Sequence, residues 1–201
     1  METNETLKTK GTHIITLCDV RNEKAQECER RLEECHLARQ LLIKTGEATR
    51  GLLKQLWDEY RFHIDRLHKF KTQEFVVNNI TTTVGRSVLA QRLGGDNTYT
   101  GNVNYTALGS SNAAPTVADA TLGTEVYRKA LSSGTDASNI AYVETFFTAT
   151  ETTGTYEEYG MFIDGGAGAD TGQLFNRFTQ SITKSNVETL NVQSIITLND
   201  A

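Results

Sequence analysis

The chain has 201 residues, with 20 Lys/Arg against 25 Asp/Glu and a formal net charge of −5. That balance argues against non-specific nucleic-acid binding, which needs a surplus of phosphate-neutralising Lys and Arg. No apolar run approaches the roughly 20 residues that span a bilayer, which argues against a membrane partner.

Composition breaks near residue 75. Residues 1–75 hold 14 Lys/Arg, 13 Asp/Glu and 3 Gly, whereas residues 76–201 hold 6 Lys/Arg, 12 Asp/Glu, 13 Gly and 21 Thr. The first half favours helix, because straight-chain Glu, Lys, Arg and Leu lose little rotamer freedom there. The second favours short strands joined by Gly-containing turns. The expectation is therefore an α+β chain: a long N-terminal α-helical segment over 1–75, as coiled coil or helical hairpin, followed by an antiparallel β-sandwich over 76–201.

The start, Met1-Glu-Thr-Asn-Glu5, lacks the basic and apolar regions of a secretory signal, so synthesis in the cytosol is expected. His13–Val20 is a short apolar stretch that fits a strand or the lead-in to a helix. A helical pattern then runs from about Asp19 to Lys71. Ala25, Cys28, Leu32, Cys35 and Leu42 recur at spacings of three and four. After Gly46 and Gly51 the stripe resumes as Leu53, Leu56, Trp57, Tyr60, Ile64, Leu67 and Phe70. One apolar seam along a helix is the mark of a coiled coil or bundle, so Ala25, Cys28, Leu32, Cys35, Leu42, Leu53, Leu56, Tyr60, Leu67 and Phe70 form a candidate oligomerisation seam. Two arrangements remain open: a parallel oligomer of about 50 residues, roughly 75 Å long, and a hairpin folded at Gly46–Gly51. The nearly shared register of the two stripes favours the oligomer. Cys18, Cys28 and Cys35 match no common zinc spacing and read as small buried hydrophobes, with inter-chain disulfides as the alternative.

Further along, a shorter helix starts near Thr81–Thr83 and stops at Gly94-Gly95, with Val84, Val88, Leu89 and Leu93 as its buried face. Six strand candidates follow: Asn102–Leu108, Glu125–Leu131, Ile140–Thr150, Tyr156–Ile163, Gln173–Ile182 and Val187–Leu198. Without helix-length crossovers among them, they predict an antiparallel sandwich.

Motifs for chemistry are sparse. Gly165-Gly-Ala-Gly-Ala-Asp170 matches the start of a calcium-binding nonapeptide repeat, but a single copy lacks the stacked neighbour that completes such a site. His63 and His68 lie five apart, on different helix faces. Neither a nucleophile elbow nor a phosphate-binding loop is present. Glu157 and Asp164 are the acids a glycan hydrolase would use, yet adjacent Glu157 and Glu158 point to opposite faces of a strand. Asn4-Glu-Thr6, Asn79-Ile-Thr81 and Asn104-Tyr-Thr106 match the glycosylation tripeptide, as expected by chance in so Thr-rich a chain. No catalytic, cofactor-binding or metal-ligating residue is assigned.

An ordered series of elements carries a resemblance. Val84-Gly-Arg-Ser-Val-Leu-Ala90 precedes Tyr105-Thr-Ala-Leu-Gly109. Next come Ala114-Pro115-Thr116, Asp119-Ala-Thr-Leu122, Thr124-Glu-Val-Tyr-Arg128 and Tyr156-Glu-Glu-Tyr-Gly-Met-Phe-Ile-Asp164, then Gly172-Gln-Leu-Phe. Over roughly residues 80–198 this resembles the attachment domains of tail-collar and tail-fibre proteins of tailed bacteriophages. The resemblance implies a non-enzymatic virion structural protein of the tail, fibre or neck, a homotrimer that contacts other virion proteins. An adhesin or carbohydrate-binding module is the alternative; a host-surface glycan would then stack on Tyr99, Tyr105 and Tyr159.

Overall fold

The computed structural model describes residues 8–199. The first strand, β1 (Lys8–Asp19), precedes two helices, α1 (Glu23–Thr45) and α2 (Arg50–Leu67). Asn22 caps α1 by accepting the Lys24 N–H at 2.9 Å, and Thr49 caps α2 through Leu52 N–H. Between them Gly46 takes φ +76°, a conformation that glycine adopts without steric cost, so the chain reverses there. Then follow β2 (Lys71–Asn78), β3 (Ile80–Thr81), α3 (Thr83–Leu93), β4 (Val103–Gly109) and β5 (Glu125–Ala130). The last strands are β6 (Ser133–Ala137), β7 (Ile140–Phe147), β8 (Gly154–Ile163), β9 (Gln173–Lys184) and β10 (Glu188–Asn199).

The strands form two antiparallel sheets in the orders β2-β1-β10-β7-β6 and β3-β9-β8-β4-β5. In the first, β1 pairs with β10 along its whole length, from Lys8 opposite Asn199 to Asp19 opposite Glu188. Their inward faces meet in one core. Ile15, Leu17, Phe147, Leu190 and Val192 come from the first sheet, and Leu108, Tyr159, Met161, Phe178 and Ile182 from the second. The outer face of the first sheet is covered by the helices. Ala25, Cys28, Leu32 and Cys35 of α1 and Tyr60, Ile64 and Leu67 of α2 pack with Cys18, Val20, Phe146 and Ala149. Helix α3 lies against β9 at Gly85, where a Cβ would fall 2.7 Å from the Phe175 backbone.

These observations correct the expected fold class. No long N-terminal helical segment or coiled coil forms among the described residues, and the molecule is a β-rich two-sheet fold with short helices. The boundary drawn at residue 75 falls inside β2. The physical reason is competition for the same apolar stripe. An isolated helix with one greasy edge needs a partner, and the outer face of the first sheet supplies one within the chain. Alternating His13, Ile15 and Leu17, meanwhile, suit a strand buried between two neighbours better than a helical lead-in. Of the buried face expected for α3, Val88 is buried and Val84 and Leu89 are half-buried, but Leu93 is 83% exposed, and Gly85 is buried beside Val88.

Because Ile64 is fully buried beneath the helices, Ile64→Ala is expected to cost roughly 2–5 kcal/mol. Leu41→Ala, at a residue 61% exposed, is expected to stay within about 0.5 kcal/mol. Urea denaturation measures both. Equal, small effects would mean that the helices are not seated on the sheet.

Candidate functional site

Three polar centres are built into the sandwich. The first lies on the outer face of the second sheet. Glu158, fully buried on β8, accepts the backbone N–H groups of Ser111 (3.2 Å), Gly123 (2.9 Å) and Thr124 (2.7 Å). Arg177 on β9 donates Nε to the same carboxylate at 2.9 Å, Nη1 to Asp119 at 2.7 Å and Nη2 to the Ala113 carbonyl at 3.0 Å. The loop between β4 and β5 is thereby tied down over Ala107, Phe162 and Leu174, with its Leu122 completing a small apolar cluster. Three glycines make room: a Cβ at Gly109 would fall 2.5 Å from the Glu158 carboxylate, one at Gly123 2.6 Å from Ser111, and one at Gly160 2.8 Å from Leu122 and Leu174. Hydrogen bonds from guanidinium and amides to one carboxylate offset the cost of burying it.

The second centre joins the helices to the first sheet. Glu144 on β7 is fully buried and accepts from Arg61 Nη1 at 2.7 Å, from Gln193 and from Asn191. Burial raises its pKa despite the facing guanidinium. Tyr60 of α2 donates its hydroxyl to Asn191 at 2.8 Å, and Arg61 also reaches Asp65 at 3.0 Å. Beside this centre a groove of about 720 Å³ opens between α2 and β6–β7, with Trp57 and Tyr142 in its walls.

The third centre is interior. His13 stacks on Phe178 at 4.1 Å, and Phe178 on Tyr159 at 4.9 Å with planes 3° apart. Nδ1 of His13 meets the Ser194 hydroxyl, while its Nε2 has no protein partner. Burial lowers the His13 pKa from 6.5 to about 3, so the ring is neutral at ordinary pH. One strand position pair away from Phe178, on the same face of β9, Asn176 is fully buried with neither amide atom partnered.

The seam residues are dispersed. Ala25, Cys28, Leu32, Cys35, Tyr60 and Leu67 are buried in the helix–sheet layer, whereas Leu42, Leu53, Leu56 and Phe70 are half-buried. The cysteines are free and buried, and burial pushes Cys18 up to about 12 and Cys35 up to about 11, away from reactivity. The Gly165–Asp170 loop is organised by an arginine: Arg128 Nη1 binds the carbonyls of Gly166 (3.0 Å) and Thr171 (2.9 Å). Among the described residues no group of three or more His, Cys, Asp or Glu is placed to hold a metal ion. Glu157 accepts from the Ser181 hydroxyl at 2.9 Å, and Asp164 accepts the Thr100 N–H at 2.7 Å. Of the tyrosines expected to stack on sugar, Tyr159 is fully buried and Tyr105 lies under the Arg128 guanidinium, 5.8 Å from its ring. Asn104 is engaged with Gly165, and Asn4 lies outside the described residues.

Sequence reasoning missed Glu144, Arg177 and His13, and it placed Trp57 on the apolar helical stripe. A single buried polar side chain leaves no periodic signal; its partners lie in other elements, and only the tertiary fold brings them together. Comparison of the chain with protein-family models, with curated proteins and with solved structures gave no match.

Removing Arg177 as Arg177→Met strands a fully buried carboxylate, and an expected loss of about 3–5 kcal/mol follows. Chemical denaturation at pH 7 checks it, and a loss under 1 kcal/mol would show that the backbone amides alone hold Glu158. The His13 ring makes a second prediction, with a definite sign. Below pH 6.5 the unfolded chain takes a proton that the folded ring refuses until about pH 3. Stability therefore falls as pH drops through that window, by at most about 1.4 kcal/mol per unit from this group. His36, lowered to about 4 by burial, acts in the same direction. The urea midpoint of His13→Asn is expected to fall less steeply between pH 6.5 and 4 than that of the parent, and parallel curves would contradict it.

Proposed function

We propose that the chain is a non-enzymatic structural component of a tailed-bacteriophage virion, acting in assembly or attachment of an appendage. The observation that carries this reading is the convergence of the resembling elements. They are scattered in sequence between Val84 and Phe175, yet all come to the second sheet. Val84–Ala90 lies in α3 on β9, and Tyr105–Gly109 is most of β4. Asp119 and Leu122 sit in the loop bound over β8, and Thr124–Arg128 enters β5. Tyr156–Asp164 spans β8 and the turn after it, and Gly172–Phe175 opens β9. Gly160 is the element's spatial key, since it lets Leu122 and Leu174 close over the strand.

The arrangement suits a building block. Glu158, Glu144, Arg177 and Arg128 are spent on internal pairs, which favour one fixed geometry. The acids considered for hydrolysis, Glu157 and Asp164, serve as hydrogen-bond acceptors for neighbouring residues. With much of the helical seam buried inside the chain, self-association, a homotrimer included, would use apolar residues that remain outside. Leu37 (58% exposed) and Leu41 (61%) lie one turn apart on α1, near Ile43 and Leu52 at the helix–helix turn.

The test is the composition of particles made from the genome that encodes the chain. Mass spectrometry of gradient-purified virions is expected to find it at fixed copy number, and antibody-labelled electron microscopy to locate it on the tail, fibre or neck. Its absence from purified particles would remove the assignment. Light scattering at micromolar concentration addresses self-association, where a monomer that Leu41→Asp leaves unchanged would rule out the exposed α1 row.

A further inference from the structure

The groove between α2 and β6–β7 is open to solvent and lined by both aromatic and charged side chains. Its volume, about 720 Å³, lies in the range that takes a small ligand. Trp57 comes from α2 and Tyr142 from β7; both are half-buried, with ring centroids 6.4 Å apart and planes inclined at 47°. Elsewhere the layer between these helices and the first sheet is closed, with Ala25, Cys28, Leu32, Tyr60, Ile64 and Leu67 packed on Cys18, Val20, Phe146 and Ala149. Here two large amphipathic rings line an open space instead.

Gln193 and Arg61 also line the groove, and both are anchored behind it by the fully buried Glu144 carboxylate. Their side chains are therefore set before any ligand arrives, which lowers the entropy lost on binding. The lining carries three cations, Arg50, Lys54 and Arg61, against one acid, Asp136. The lining side chains alone sum to +2 on a chain of net charge −5, while Asp58, Asp65 and Glu144 pair with them from outside the lining. Arg50 pairs with Asp136 at 2.9 Å and Lys54 with Asp58 at 3.1 Å, but all four side chains are more than 60% exposed. Such pairs are worth little and can exchange for a ligand anion.

Each feature narrows the ligand. Cations disfavour an acyl chain, and aromatic walls exceed what a bare inorganic anion uses. Rings inclined at 47° cannot hold a planar base between parallel faces, whereas a puckered sugar ring presents apolar CH faces in more than one direction. We propose that the Trp57–Tyr142 groove binds a carboxylated saccharide. Its pyranose rings rest on the two aromatic side chains, its hydroxyls meet Gln193 and Arg61, and its carboxylate is drawn by Arg50, Lys54 and Arg61. This inference is independent of the virion assignment, since particle composition and saccharide binding are measured separately and either can fail alone.

The test is calorimetry on the full chain with oligogalacturonate and with a sialylated oligosaccharide. Neutral cello-oligosaccharide, a glycerol-phosphate polymer and oligo-glutamate serve as comparison ligands. At least one carboxylated saccharide is expected to bind saturably, with affinity that falls as salt rises. Trp57→Ala and Tyr142→Ala are each expected to weaken it about tenfold. Arg50→Gln, at a side chain 86% exposed where folding is not at stake, is expected to weaken it severalfold. Circular dichroism and urea midpoints identify any variant that fails to fold, and Arg50→Gln then decides. The proposal is overturned by no saturable binding of either carboxylated saccharide at millimolar concentration, or by binding that none of the three folded variants alters. Stronger binding of the neutral sugar, the phosphate polymer or oligo-glutamate would also overturn it, by assigning the groove another ligand.

Discussion

The pairing of β1 with β10 is the constraint on which the other elements depend. These two strands run antiparallel for twelve residues, and with β2 on one side and β7 on the other they form the interior of the first sheet. Everything between β1 and β2, including α1 and α2, is then an insertion whose two ends are held in neighbouring strands. A helical pair tethered that way has little freedom to leave the sheet. Its apolar edge meets Phe146 and Ala149 at an effective concentration that separate copies of the chain would rarely match. The same pairing makes the fold strongly non-local, because the first strand is complete only when the last one has been made.

Charge is distributed by the same logic. Between the sheets the contacts are chiefly apolar, with the aromatic stack of His13, Phe178 and Tyr159 as the largest block. Acidic side chains are placed on the outer faces and then covered, Glu158 by the β4–β5 loop and Glu144 by α2. A covered carboxylate with several donors orients what covers it, since a shift of register would leave it unpaired at high cost. Glu158 thus specifies the path of the loop, and Glu144 specifies where α2 sits. The groove beside Glu144 is a by-product of that docking, because α2 meets the sheet through Tyr60 and Arg61 and leaves Trp57 and Tyr142 at the margin.

Much of the sandwich was legible from residues alone. The six strands expected between Asn102 and Leu198 correspond to β4, β5, β7, β8, β9 and β10, because alternation of apolar residues with period two is a local signal bounded by glycines. Val88 was legible as a buried residue of α3 for the same reason, through its helical spacing. β6, with Gly134, Thr135 and Asp136, carries no apolar alternation and is a strand only because β7 supplies a partner. β2 was obscured by charge: Lys71, Gln73 and Glu74 extend a helical composition into what is an edge strand with a mostly exposed face.

By itself the sequence determined local preference: helix from about residue 19 to 71, strands beyond 100, a reversal permitted at Gly46–Gly51, and an apolar stripe that had to be buried somewhere. Local preference cannot name the surface that buries the stripe, because that surface is assembled from β1, β7 and β10, which lie far apart along the chain. Tertiary structure decided that the stripe faces a sheet of its own chain, that Glu158 and Arg177 meet, and that Trp57 and Tyr142 share one groove. Each of these is a contact between distant residues, and its free energy exists only once the strands have found their order.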